Sequence, residues 1–223
     1  DIPSEGSGMG SSSSYVVGLL NALYAYQGKH INAERLAREA CQIEIDILKK
    51  SIGKQDQYIA AYGGLEYIKF NSNDSVYVDP IICKTETKKL LEKKLLLFYT
   101  GITRSADPIL AKQTSNMASQ KDKRAIMSEM VMLAGKMQNA LNKNNLDVFG
   151  EMLHKNWILK KQMAEGVSSP QIDRWYETAL KNGAIGGKLL GAGGGGFFLF
   201  HAPEEKHKKI IGALPDLSYQ EFS

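Results

Sequence analysis

"GSGMGSSSSYVVGLLNALYAYQGK" spans residues 6–29, and the fold turns on whether its glycines and serines are a linker or a built loop. A flexible linker is flanked by polar, aperiodic sequence. This stretch instead runs straight into Val16, Leu19, Leu20, Leu23 and Tyr24, which recur at helical spacing, and Gly28 supplies a stop. Glycines let backbone amides approach a ligand closely, and the open N–H groups and dipole of a following helix favour an anion. Serine hydroxyls add donors or metal-binding oxygens. No lysine follows the glycines, so this is not a Walker A loop. By itself the stretch reads either as a phosphate loop or as a glycine–serine helix cap.

Outward from it, Asn32 is an N-cap for a second helix over residues 33–50, with Leu36, Ala40, Ile43 and Ile47 on one face. "GGLEYIKFN" and "SVYVDPI" predict two strands joined by the polar turn "NSND". After the charged helix "TETKKLLEKK" comes "LLLFYTG", an apolar run of strand length. Helical periodicity then holds from Ala106 to about Asn182, with breaks near Ser119, Asn144 and "EGVSSP". "GGKLLGAGGGGFFLFHAP" ends in a strand, "PEEKHKKIIGAL" reads as a helix and "SYQEF" as a last strand. Over residues 93–223 this order predicts helices packed on one face of an antiparallel sheet, an α+β layer.

Composition narrows the function classes. Of the 223 residues 43% are hydrophobic and 23% charged, enough for a sizeable core, and the net charge is +4. The lysines alternate with acids, as in "KKLLEKK" and "EEKHKK", which marks solvated helix faces and argues against nucleic acid as a partner. Cys41 and Cys83 are too few for a disulfide framework, and a reducing cytoplasm is expected. No apolar run of about 18 residues is present, so no membrane partner is expected. A start without Met, inside a motif, predicts a piece of a longer protein. His30, His154, His201 and His207 are not spaced as a metal site, Trp157 and Trp175 read as core, and the Met-rich "IMSEMVMLAGKM" reads as a packing stripe.

Two further stretches bear on the loop's reading. "KLLGAGGGGFFLF" places five glycines within six residues ahead of an apolar strand, either for close packing or as a backbone wall against a ligand. "SIGKQDQYIAAYGG" sets an aspartate between two amides, either as a turn residue or as a working acid.

Together these three elements resemble the GHMP kinase superfamily. "PSEGSGMGSSSS" is similar to its phosphate loop, with Met9 in the usual Leu place, "KLLGAGGGGFF" to its C-terminal glycine motif, and "GKQDQY" to the segment carrying the catalytic aspartate in the sugar-kinase branch. Within that branch the combination is most similar to the D-glycero-D-manno-heptose 7-phosphate kinases, and next to fucokinase-like enzymes. The family's first motif is absent.

The resemblance implies a GHMP two-domain α+β fold. Residues 1–92 are the remaining part of an α/β, ribosomal-protein-like N-terminal domain, and residues 93–223 a ferredoxin-like α+β domain with extra helices. It implies an ATP-dependent sugar or sugar-phosphate kinase with ATP and Mg²⁺ as cofactors and a homodimer as a possible assembly. The ATP phosphates fall to Gly6, Gly8, Met9, Gly10, Ser11, Ser12 and Ser13, and Mg²⁺ to Ser12 and Glu44, the latter twelve residues before Asp56. Asp46 points elsewhere on the same helix, since positions two apart do not share a face. Asp56 is the expected base, with Lys54 holding it ionised or touching phosphate. Gln55 and Gln57 suit sugar hydroxyls. Thr103, Arg104, Lys188, Gly191, Ala192, Gly193 and Gly194 are substrate-side candidates, Arg104 because its fork matches phosphate. Two rivals stay open: a non-catalytic nucleotide- or sugar-phosphate-binding relative, and a helical interaction scaffold, which leaves the two glycine clusters unexplained.

Overall fold

A computed structural model describes residues 8–146 and 148–221. They form two compact units, one of residues 10–81 and one of residues 82–221 joined by Gly8 and Met9. The N-terminal unit runs through α1 (Ser11–Tyr26), α2 (Ala33–Cys41), a π-helical turn (Gln42–Ile47) and α3 (Gln55–Tyr62). It closes on an antiparallel hairpin, β1 (Glu66–Phe70) and β2 (Val76–Pro80).

Asn32 caps α2 as its sequence predicts, accepting a hydrogen bond from the Arg35 amide at 2.9 Å. The helix expected over 33–50 does not continue as one α-helix, because "QIEIDI" widens into the π turn. Its three isoleucines are poor α formers, and the turn sets Glu44 facing inward, fully buried. Ala37, Cys41 and Tyr58 form the small core, with Ile45, Ile68, Val76 and Val78 packed against it.

The face expected to bury α1 is not the one it buries. Ser13 and Val17 face inward, while Leu19 and Leu23 are about half exposed, at 46% and 50%. Apolar residues occur on more than one side of α1, so periodicity alone could not choose its inner side.

The C-terminal unit begins with α4 (Thr85–Lys93) and β3 (Leu95–Tyr99), then four helices, α5 (Asp107–Ser119), α6 (Lys121–Asn142), α7 (Phe149–Lys161) and α8 (Pro170–Lys181). It ends with β4 (Gly186–Leu189), β5 (Phe197–His201), α9 (His207–Ala213) and β6 (Ser218–Gln220). The sheet order is β4-β5-β3-β6, every pair antiparallel, with Leu97 opposite Leu199. By compactness the second unit begins at Ile82, where α4 is tied to the end of α6. Asn142 accepts from the Ile82 amide at 3.0 Å, and Asn144 from the Lys84 amide and the Thr87 hydroxyl, each at 2.8 Å.

The apolar runs do what their composition demands. Leu96, Phe98, Phe198 and Phe200 are fully buried, and the last two stack at 5.0 Å between ring centroids. Trp157 of α7 and Tyr176 of α8 close over them, so both helices lie on one face of the sheet. Each such side chain contributes about 1.5–3 kcal/mol by leaving water. Helix α8 starts where its sequence says it should: Ser169 accepts from the Ile172 amide at 3.3 Å and Pro170 takes the first turn. The Met-rich helix α6 buries Leu133 and Leu141 but leaves Val131 and Met132 exposed. Among the described residues no helix is long and apolar enough to cross a membrane.

Candidate functional site

The N-terminal unit gathers Ser12, Ser13, Glu44, Lys50, Asp56 and Gln57 around the start of α1. Gly10 caps that helix in a left-handed conformation, φ +69°, and offers no side-chain cap. Asp56 lies directly over it: a Cβ built on Gly10 would sit 3.2 Å from the Asp56 Cβ and Cγ. Glycine is therefore required twice at position 10, by its backbone angle and by the carboxylate above it.

Beside this pair, Glu44 collects four donors. The hydroxyls of Ser12 and Ser13 donate to its two oxygens at 2.6 Å each, the Gln57 amide donates at 2.6 Å, and the Lys50 ammonium at 3.0 Å. Glu44 is sealed from solvent yet lies shallow. Burial pushes its carboxyl up, and the hydrogen bonds of Ser12, Ser13, Lys50 and Gln57 together outweigh that and hold it below its usual value.

Asp56 goes the other way. Its outer edge is open to water, but protein crowds its inner side. Partial desolvation first, and the Glu44 charge second, raise its carboxyl above the usual range. It makes no hydrogen bond to a described residue, so it is left to accept one from a ligand.

Two oxygens here already hold a cation. The Lys50 ammonium lies 2.6 Å from the Ser12 hydroxyl and 3.0 Å from the Glu44 carboxylate, which are themselves 2.6 Å apart. A carboxylate and a hydroxyl are the hard donors that a Mg²⁺ ion takes, alongside water and phosphate oxygens. Among the described residues no cluster of three or more His, Cys, Asp or Glu could hold a metal by itself.

Other expected residues have different partners. Lys54 pairs with Asp74 at 2.9 Å and makes no hydrogen bond to Asp56. Gln57 is buried on Glu44, while Gln55, Thr103 and Arg104 are exposed. Gly6 lies outside the described residues.

The glycine run of the C-terminal unit divides in two. Gly193, Gly194 and Gly195 are buried because the backbone passes tightly: added Cβ atoms would lie 2.5–2.8 Å from the carbonyls of Val167, Gly166 and Ile102. At these three positions close packing is explanation enough. Gly191, by contrast, is exposed, at φ +62°, and a Cβ on it would fall 2.6 Å from the Gly8 Cα. Gly191 and Ala192 are the less buried end of the run.

Lysines 50 and 160 are absent from the sequence expectation. Lys50 sits in an ordinary charged stretch and gave no signal. Lys160 did give one: it follows Leu153 and Trp157 at helical spacing, on the buried face of α7.

A helix start under a carboxylate and a buried glutamate on its serines are the local geometry of the N-terminal unit, and the chain belongs to the GHMP kinase family. The profile of the GHMP kinases N terminal domain matches residues 1–64, and that of the GHMP kinases C terminal domain residues 137–219. Among curated proteins it is 36% identical over 214 residues to a D-glycero-alpha-D-manno-heptose 7-phosphate kinase of Campylobacter jejuni, covering 96% of this chain and 62% of that protein. It is also 29% identical over 202 residues to an L-fucokinase/L-fucose-1-P guanylyltransferase of Bacteroides fragilis, covering 89% of this chain and 21% of that one. Among solved structures, a D-glycero-D-manno-heptose 1-phosphate kinase of Bacteroides thetaiotaomicron superposes with a TM-score of 0.74 at 29% identity, covering 98% of this chain and 61% of that chain. The chain thus spans 62% of the length of its heptose-kinase relative from Campylobacter jejuni.

Proposed function

We propose that the protein of which this chain is part is an ATP-dependent kinase that phosphorylates a hydroxyl of a sugar phosphate. D-glycero-D-manno-heptose 7-phosphate, phosphorylated at C1 to the 1,7-bisphosphate, is the best-supported substrate. The observation that carries this reading is Asp56, a carboxylate of raised pKa with no hydrogen-bond partner among the described residues, set over Gly10 at the start of α1. The amides of Gly8, Met9, Gly10 and Ser11 cradle the ATP phosphates, and Asp56 orients the sugar hydroxyl and accepts its proton as phosphoryl transfer proceeds. Ser12 and Glu44 would hold Mg²⁺, which would supply charge neutralisation on the nucleotide phosphates. Phosphoryl transfer draws most of its rate from such positioning, so a rigid Glu44 network fits the task.

A non-catalytic relative has no need of an acceptor carboxylate held ready beside the serines, which favours catalysis. A fucokinase- or galactokinase-like activity is the second reading, supported by the fucokinase relative. Cytoplasmic location and a homodimer belong to the same proposal. The two heptose kinases named above differ over which phosphate the substrate carries, so the test includes both isomers. Intact protein with ATP·Mg²⁺ should give its highest kcat/KM on heptose 7-phosphate, against the 1-phosphate, fucose, galactose and mevalonate. Faster turnover of fucose or galactose would install the second reading, and no phosphorylation of any of them would end the kinase reading.

A further inference from the structure

Two lysines of the C-terminal unit lie beside the glycine run with no negative charge to answer them. Lys160 projects from the buried face of α7, only 9% exposed, and its ammonium donates to the Gly191 carbonyl. Lys188 of β4 is partly buried and close enough for its charge to act on Lys160. The acids of this region are committed elsewhere, Asp173 to Lys161 at 2.9 Å and Glu165 to Lys112 at 2.5 Å. Among the described residues neither Lys160 nor Lys188 meets a carboxylate. Two like charges withdrawn from water beside each other are costly unless an anion joins them. The exposed end of the glycine run, Gly191 packed on Gly8, gives that anion a way in.

We propose that Lys160, Lys188 and the Gly191 turn form a binding site for a dianionic phosphoryl group. Burial first, and the Lys188 charge second, push the Lys160 ammonium down to about 7, so near neutrality a large share of it is an uncharged amine. An arriving dianion favours the charged form, so Lys160 takes up a proton as the anion binds, and affinity falls as pH rises through about 7. The phosphoryl group belongs either to the phosphorylated substrate or to the nucleotide. That assignment rests on the kinase reading, whereas the anion site does not.

Sulfate is the probe, because it stays a dianion across this range. Calorimetry on intact protein at pH 7.5, in two buffers of different ionisation enthalpy, should show sulfate binding with net uptake of a substantial fraction of a proton. Burial lowers Lys188 as well, so Lys160→Met should weaken sulfate by at least about tenfold and reduce the uptake. Lys188→Met, at a position closer to the surface, should weaken it without abolishing the uptake, which covers the case that Lys160→Met fails to fold. Displacement of sulfate by glucose 6-phosphate assigns the site to the substrate's phosphate, and displacement by ADP assigns it to the nucleotide. Sulfate that binds without proton uptake, binds equally well to Lys160→Met, or does not bind at millimolar concentrations overturns the proposal. Sugar-kinase activity with no such sulfate binding sinks the lysine site alone. Sulfate binding with uptake but no phosphorylation sinks the kinase reading alone.

Discussion

Glu44 and Lys160 are both charged side chains buried beside a glycine turn, yet the two units treat them in opposite ways. Glu44 has four donors, and its charge is held in place with its pKa lowered. Lys160 has one backbone carbonyl, a second cation for a neighbour and a pKa pushed down to about 7. A charge whose partners are all supplied by the fold is rigid before any ligand arrives. A charge left short of partners is poised to respond when one does. The N-terminal unit is therefore built to position, and the C-terminal unit to receive.

The sharpest attempt to break this contrast removes Asp56, which has no hydrogen-bond partner among the described residues. Asp56→Asn in the intact protein should keep both substrates bound and lower kcat by ~10²–10⁴-fold, with kcat/KM falling in step. A variant that keeps at least half the parent kcat in steady-state assays makes Asp56 an ordinary helix-start residue. Next in size is Ser13→Ala, which leaves a buried carboxylate oxygen short of a donor. It should cost about 1.5–3 kcal/mol in denaturant unfolding, and a cost below half a kcal/mol would show the network to be slack.

Gly191→Ala comes third. The left-handed backbone alone costs roughly 1–2 kcal/mol, and the added methyl must also displace Gly8. Nucleotide KM should rise with little change in the stability of the N-terminal unit, and an unchanged KM would detach Gly191 from the phosphate loop.

The smallest effect concerns His201, whose two ring nitrogens find no partner among the described residues. Burial first, then the charges of Lys94 and His207, lower its pKa from 6.5 to about 4. The folded state keeps it neutral while the unfolded chain protonates it, so stability falls as pH drops from about 6.5 and levels off below about 4. His201→Gln should flatten the melting temperature across that window, and an unchanged slope would assign the acid sensitivity to other groups.

What was legible in the chain was whatever costs backbone freedom. Glycines at 8, 10 and 191 and the capping residue Asn32 stand in conformations or contacts that few alternatives satisfy, and the glycine clusters and the cap announced loop and helix start. Glu44 and Asp56, to which only the family resemblance assigned roles, are both brought to the start of α1 by the fold. Partnerships were harder to read. Lys160 was marked by its place on the buried face of α7, but nothing in the sequence says that Lys50 meets Glu44, Lys54 meets Asp74 or Lys160 meets a backbone carbonyl. Glycines 193 and 194 pass tightly against the carbonyls of Val167 and Gly166, a close approach that a glycine run signals without saying to what.

The π turn at Gln42–Ile47 carries a consequence of a different order. There the amide of Leu48 reaches back to the carbonyl of Ile43, and that of Lys50 to Glu44, wider steps than an α-helix takes. Such a turn is one residue more than a regular helix would hold, so in the gene it is worth a single codon. Losing that codon would leave every reactive side chain in the sequence while turning all that follows by about 100° around the helix axis, which is one α-helical residue. Lys50 would leave Ser12, and Asp56 would leave Gly10. A one-residue in-frame deletion would thus separate the chemistry from its geometry while keeping every one of those side chains.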